Sequence, residues 1–310
     1  MDDDYFDYES TIDLNRKVAL ITGANSGLGL ETSKVLAQKG ATVIMACRNL
    51  KKAAKAKNEI IEDLPDAKIE IMPLDLSSRR SIEEFVPKVE KKYDTIDFLV
   101  NNAGIMMPPL DLQYEDVESQ LAVNYLSHFL LTSLLFPMIE NAPEGRIIQL
   151  SSIAHRWGDT RWNYYNSKST YDKKKAYGQS KLACLMFAYE LQRRLSRSRS
   201  HVKSYAAHPG ASSTNLFQYV SPIQRPFIRL LERFLFQDAE DGSMPTLRAL
   251  LDPYLNPGSF VGPDGFKELK GEPTVVDSSR ISKDPVAALK LWEWTEKKLN
   301  TTFDLEEWNE

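Results

Sequence analysis

The stretch Lys17-Val-Ala-Leu-Ile-Thr22-Gly23-Ala-Asn-Ser-Gly27-Leu-Gly29 runs from an apolar segment through three glycines into a helical pattern that stops at Gly40. An unbroken apolar run of this kind reads as a strand buried on both faces. Glycines after it let the backbone turn tightly and approach a pyrophosphate, whose charge is favoured at the N-terminus of the next helix. The spacing is TGxxxGxG, distinct from the common GxGxxG fingerprint. A glycine cluster alone is weak evidence. Between a first strand and an amphipathic helix it points to a dinucleotide site.

Outward from this turn, strands alternate with helices along the chain. Strands are predicted at Thr42–Cys47, Ile69–Leu74, Ile96–Asn101, Arg146–Leu150 and Val202–Ala207. Helices are predicted from Gly27 to Lys39, to about Asp63, at Ser78–Tyr93, near Asp116–Glu140 and near Ala176–Ser196. Strands joined by crossover helices imply one α/β domain, a parallel sheet covered on both faces. The domain is expected over 15–300, after an acidic lead-in (1–14) and before a tail (301–310).

With 310 residues and 42% hydrophobic composition, the chain can bury a large core. Its net charge of −4 gives no reason to expect nucleic acid. Cys47 and Cys184 form no CxxC pattern, and the four histidines are scattered, so neither a disulfide framework nor a metal site is expected. The acidic N-terminus is unlike a signal peptide, and no stretch was expected to reach the ~18 apolar residues of a membrane span. These features predict a cytoplasmic protein.

Two segments interrupt the alternation. Ile153–Lys175 is a polar and aromatic loop carrying Trp157, Trp162, Tyr164, Tyr165 and Tyr171, a length that usually marks a functional lid or disorder. In Leu216–Phe236, inside a lid region taken as 211–240, apolar residues recur at helical spacing with Arg225, Arg229 and Arg233 between them. That pattern suits a packed amphipathic helix, a substrate lid or a peripheral membrane contact.

An NAD-binding unit wants an acidic side chain after the second strand to hold the ribose hydroxyls. Here the strand ends Cys47-Arg48-Asn49, and a guanidinium at Arg48 suits a 2′-phosphate, which favours NADP(H). Asp75 could accept from an adenine amino group, while Ser77 and Ser78 are better placed to cap the next helix.

In Lys175-Ala-Tyr177-Gly-Gln-Ser-Lys181, the i,i+4 spacing puts a phenol and an ammonium on one helix face. A neighbouring cation favours the phenolate form of a tyrosine, which is otherwise a poor base at neutral pH. Ser151-Ser152 lies upstream and offers a hydroxyl for a substrate oxygen.

Together with Asn101-Asn-Ala-Gly104, Asn124 and Pro209-Gly210 with Thr214, these motifs resemble the short-chain dehydrogenase/reductase family over nearly the whole chain. The resemblance implies a doubly wound Rossmann fold, a parallel seven-stranded sheet in the order 3-2-1-4-5-6-7. It implies a tetrad in which Tyr177 is the general acid/base and Ser152, rather than Ser151, holds the carbonyl oxygen. Lys181 would bind the nicotinamide ribose, and Asn124 would hold a water in a proton relay. The NADP(H) site would draw on Gly23, Asn25, Ser26, Gly27, Leu28, Gly29, Arg48, Asp75, Leu76, Asn102, Ala103, Gly104, Tyr177, Lys181, Pro209, Gly210 and Thr214.

Ser151-Ser-Ile-Ala-His155 and Ala176-Tyr-Gly-Gln-Ser-Lys-Leu-Ala183 resemble the branch of retinol dehydrogenases and protochlorophyllide reductases. The aromatic and apolar segments predict a small-molecule partner, a fairly apolar carbonyl or alcohol substrate. Family members are often dimers or tetramers. A non-catalytic NADP-binding sensor or scaffold is the alternative. His155 reads either as a substrate-facing residue or as a loop histidine bonded to backbone, and His208 as structural.

Overall fold

The computed structural model describes residues 12–114, 116–210 and 238–305. Thr214, the segment 216–236, most of the 211–240 region and Trp308 lie outside the described residues.

Strands β1 (Val18–Thr22), β2 (Thr42–Cys47), β3 (Ile69–Pro73), β4 (Phe98–Asn101), β7 (Arg146–Leu150), β8 (Lys203–Ala207) and β9 (Phe260–Pro263) pair in parallel. Their order is β3-β2-β1-β4-β7-β8-β9, the predicted 3-2-1-4-5-6-7. The sheet differs from the expected seven strands by one. A short edge strand, β10 (Pro273–Val275), adds to β9 in antiparallel register. Three residues are too few for periodicity to reveal.

Helices α1 (Gly27–Gln38), α2 (Leu50–Asp63) and α6 (Ala239–Leu251) cover one face. On the other lie α3 (Arg79–Glu90), α4 (Ser119–Glu140), α5 (Lys173–Arg197) and α7 (Pro285–Leu299). The strand order reverses between β1 and β4, which opens a crevice at their carboxyl ends.

The helix predicted near Asp116 starts at Ser119, because a small hairpin of β5 (Leu112–Gln113) and β6 (Val117–Glu118) precedes it. Glu118 caps that helix, its carboxylate accepting from the N–H groups of Gln120 and Leu121. By length and composition α4 could cross a membrane, contrary to the expectation from sequence, but 78% of its apolar window is buried inside the protein. It is a core helix.

Its turn Ala122–Leu126 has π geometry and carries both Asn124 and Tyr125, each buried. Tyr125 points into an aromatic cluster with Phe129 and Phe187. Trp292 of α7 meets Phe129 edge-on at 4.9 Å and stacks on Phe303 at 5.3 Å. Truncating such a buried aromatic costs about 3–5 kcal/mol. Phe303 thus anchors the start of the expected tail. At the other end, Leu14 of the expected lead-in is buried and its N–H bonds Lys39 O.

Candidate active site

The glycine turn is built around the amide of Asn102. Gly23 has a left-handed φ of 68°, and a Cβ there would stand 3.0 Å from Ala103 Cβ. At Gly29 a Cβ would fall 2.5 Å from Asn102 Nδ2 and 2.7 Å from the Gly23 carbonyl oxygen. Asn102 Nδ2 donates to Thr22 O at 2.8 Å, and the N–H groups of Asn102 and Ala103 both donate to Thr22 Oγ1 at 3.0 Å. The TGxxxGxG and NNAG segments are therefore one unit. Beneath it, burial pushes the Cys47 thiol up to about 11, although backbone N–H groups of Ala24 and Asn25 favour the thiolate. The thiol stays neutral.

Above this unit lies a cleft of about 600 Å³. Its lining includes eleven of the residues expected at a cofactor site: Gly23, Asn25, Ser26, Gly27, Leu28, Arg48, Asp75, Leu76, Asn102, Ala103 and Gly104. Lys52, Asn49 and Ser77 also line it, and sequence reasoning missed them. Asn49 caps α2 by accepting from Lys52 N at 3.0 Å, and the cleft is lined by both Arg48 and, in that first turn, Lys52. A recognised cap at Asn49 would have revealed it. Arg48 is 72% exposed and 3.9 Å from Asp75, a loose ion pair worth little in water. Asp75 Oδ1 also accepts from Ser77 N and Oγ, and Ser78 caps α3.

Tyr177 and Lys181 are buried on α5, outside that lining. Lys181 Nζ stands 5.9 Å from the centre of the Tyr177 ring and donates to Leu150 O at 2.8 Å. Ser151 Oγ donates to Lys181 O at 2.8 Å, so its proton is committed to holding α5 against β7. Ser152 differs. Its Oγ accepts from Ala154 N at 3.1 Å, a bond that leaves the hydroxyl proton for another acceptor. Ser152 O in turn accepts from His155 Nδ1 at 2.8 Å, and His155 Nε2 accepts from Ser279 N at 3.1 Å. Both ring nitrogens of His155 thus bond backbone, and burial pushes the ring down to about 4.

Asn124 joins this end to the cleft. Its side chain accepts from Ile105 N at 2.8 Å and donates to Ile105 O and Ser180 Oγ at 3.0 Å each. A Cβ at Gly104 would lie 3.2 Å from Asn124 Oδ1 and 3.6 Å from Lys181 Nζ, so the three converge. Pro209 and Gly210 follow β8; Gly210 N donates to the buried His208 at 3.2 Å, and that ring stands 3.2 Å from Glu268.

A family model described as short chain dehydrogenase matches residues 17–224. The chain belongs to the short-chain dehydrogenase/reductase family.

Among its relatives is Short-chain dehydrogenase TIC 32 A, chloroplastic, from Brassica napus, 36% identical over 94% of this chain and 91% of that protein. Retinol dehydrogenase 12 of Homo sapiens is 36% identical over 80% of this chain and 77% of its own. A crystal structure of an uncharacterized protein from Mycobacterium Paratuberculosis superposes with a TM-score of 0.80 at 36% identity, covering 97% and 99% of the two chains. Within the family, this short-chain dehydrogenase falls in the retinol dehydrogenase-like branch.

The segment between Ser152 and α5 is a packed excursion. Asp159 accepts from Arg161, Tyr165 and Gln179. Burial would raise the Asp159 carboxyl, but the hydrogen bonds from Arg161 and Tyr165 hold it below its ordinary value. Tyr165 and Trp162 are buried, and Trp157 and Tyr164 are exposed.

Proposed function

We propose that this short-chain dehydrogenase is an NADP(H)-dependent oxidoreductase acting on an apolar carbonyl or alcohol, with Tyr177 as its general acid/base. The observation that carries the reading is the division of labour between the two serines. Ser151 spends its proton on the α5 backbone, whereas Ser152 keeps one for a substrate oxygen.

The residues present fit a dinucleotide. Gly23 and Gly29 leave backbone where a Cβ would not fit, and Arg48 and Lys52 set two cations at the cleft wall for a 2′-phosphate. The bound nicotinamide supplies or accepts a hydride. In reduction Tyr177 gives its phenolic proton to the substrate oxygen while Ser152 donates a hydrogen bond to it; in oxidation the phenolate takes the proton back. The Lys181 ammonium has three protons, of which Leu150 O takes one; the others serve the cofactor ribose and a water leading past Asn124. The exposed aromatics of the excursion, Trp157 and Tyr164, favour a hydrophobic substrate, in keeping with the name of Retinol dehydrogenase 12.

The test is consumption of NADPH by the full chain against aldehydes, ketones and quinones of graded polarity. Long-chain or polycyclic carbonyls should turn over best, with NADPH preferred to NADH. A preference for small hydrophilic carbonyls would overturn the substrate class. Tight NADPH binding with no turnover would favour the scaffold reading.

A further inference from the structure

His128 lies four residues beyond Asn124 on α4 and is fully buried. Its Nδ1 is 2.9 Å from Asn124 O, and its Nε2 is 2.9 Å from Thr22 Oγ1. One ring thus touches the first residue of the glycine turn and the asparagine of the tetrad, which are 102 positions apart in sequence.

The protons can be counted. Thr22 Oγ1 already accepts from the N–H groups of Asn102 and Ala103, which use both lone pairs. Its single proton has two candidate acceptors, His128 Nε2 at 2.9 Å and Val100 O at 3.3 Å. The nearer is the imidazole nitrogen. Nε2 is then an acceptor, Nδ1 carries the ring proton, and that proton points at Asn124 O. The other tautomer would direct Nε2–H at an oxygen with no lone pair left. It would also face bare Nδ1 against the Asn124 carbonyl, two acceptors 2.9 Å apart. A doubly protonated ring would fail at Thr22 in the same way. Burial, with the Lys181 charge nearby, pushes the ring down to about 4 and keeps it neutral at pH 7.

We propose that His128 is a positioning residue, a neutral Nδ1–H strut that ties the cofactor turn at Thr22 to Asn124 of the tetrad. This rests on the NADP(H)-dependent reading above and adds to it. The Thr22 hydroxyl is the acceptor that closes the NNAG backbone against the glycine turn. The Asn124 carbonyl also accepts from the Cys184 thiol at 3.1 Å, so two side-chain donors meet on it. An apolar residue of equal volume would fill the space and hold neither group.

The two halves of the strut can be cut separately. A glutamine amide reaches about as far as Nε2 and keeps an acceptor for Thr22; an asparagine amide reaches about as far as Nδ1 and keeps a donor for Asn124. NADPH dissociation constants by fluorescence titration, kcat with the best carbonyl of the wild type, and melting temperature are measured for His128→Gln, His128→Asn and His128→Phe. The glutamine variant should hold its NADPH affinity and lose ~3- to 10-fold in kcat. The asparagine variant should do the reverse, and the phenylalanine variant should lose both. Gln and Asn variants that change affinity and kcat in the same proportion, or melting temperature alone, would overturn the proposal. Nitrogen-15 NMR of the imidazole in cofactor-free wild type at pH 7 gives an answer that depends on neither folding of variants nor turnover. A neutral Nδ1–H ring is expected, and an Nε2–H or charged ring refutes the strut. Wild type that binds no NADPH would instead defeat the cofactor assignment, and the tautomer would still judge the strut.

Discussion

At the ends of β2 and β3, the cleft wall is made of groups that keep one side in water. Arg48 is mostly exposed, its partner Asp75 is 3.9 Å away, and Lys52 reaches in from the first turn of α2. At the ends of β4 and β7, Asn124, His128, Ser151 and Lys181 are all buried, and each is held by hydrogen bonds of 2.8 to 3.1 Å. A charge left in water can swap partners at little cost, since exposed pairs contribute roughly 0–1 kcal/mol. Buried polar groups are expensive to leave unpaired, at about 1–3 kcal/mol each. The contrast teaches where each property of the site resides. In the proposed reading, cofactor preference rests on side chains that can change without disturbing the fold, and the acid/base geometry on groups fixed by the core.

Mutations at the two ends should differ accordingly. The largest effect is expected at the dry end, where Lys181→Met should cut kcat ~10²- to 10³-fold in steady-state assays with NADPH. At the seam between the ends, Gly29→Ala places a Cβ against Asn102 and the Gly23 carbonyl. Overpacking of this kind should weaken NADPH ~10- to 10²-fold by fluorescence titration. At the wet end, Arg48→Ala should weaken NADPH about 10-fold, leave NADH nearly unchanged and keep the melting temperature. Equal losses for both cofactors would break the comparison, because Arg48 would then hold something other than the 2′-phosphate. Away from the cleft, Asp159→Ala should lower the melting temperature by about 2–5 °C, and less at acidic pH. The sign follows from the depressed carboxyl: its contribution is present above the ordinary carboxylate pKa and is lost as pH falls through the folded-state value.

How much of this was legible in the sequence depended on the range of the forces involved. β2 and β7 fall at their predicted bounds because each is a short, mostly apolar run with clear ends, Gly40 and Arg48 around Thr42–Cys47 and Gly145 and Ser151-Ser152 around Arg146–Leu150. The glycine turn was legible because its constraint is local backbone geometry. The hairpin before α4 was not, since two strands of two residues carry no period and Val117–Glu118 continues smoothly into a helical pattern. The π turn was beyond local reading, and Ser152 was preferred to Ser151 only through the family resemblance, because what separates the two hydroxyls is not local. Ser151 bonds the Lys181 carbonyl and His128 bonds Thr22, contacts between segments far apart in sequence. His128 looks like an ordinary core residue until its two partners are known.

In the proposed reading the Tyr177 hydroxyl is the group that moves the proton. This is tested most directly by the single-turnover rate of Tyr177→Phe with NADPH and the best carbonyl of the wild type, measured with the dissociation constant for NADPH. A rate lower by ~10²-fold or more is expected, with cofactor affinity within about 2-fold of wild type. A Phe variant that binds NADPH and turns over at the wild-type rate would contradict it.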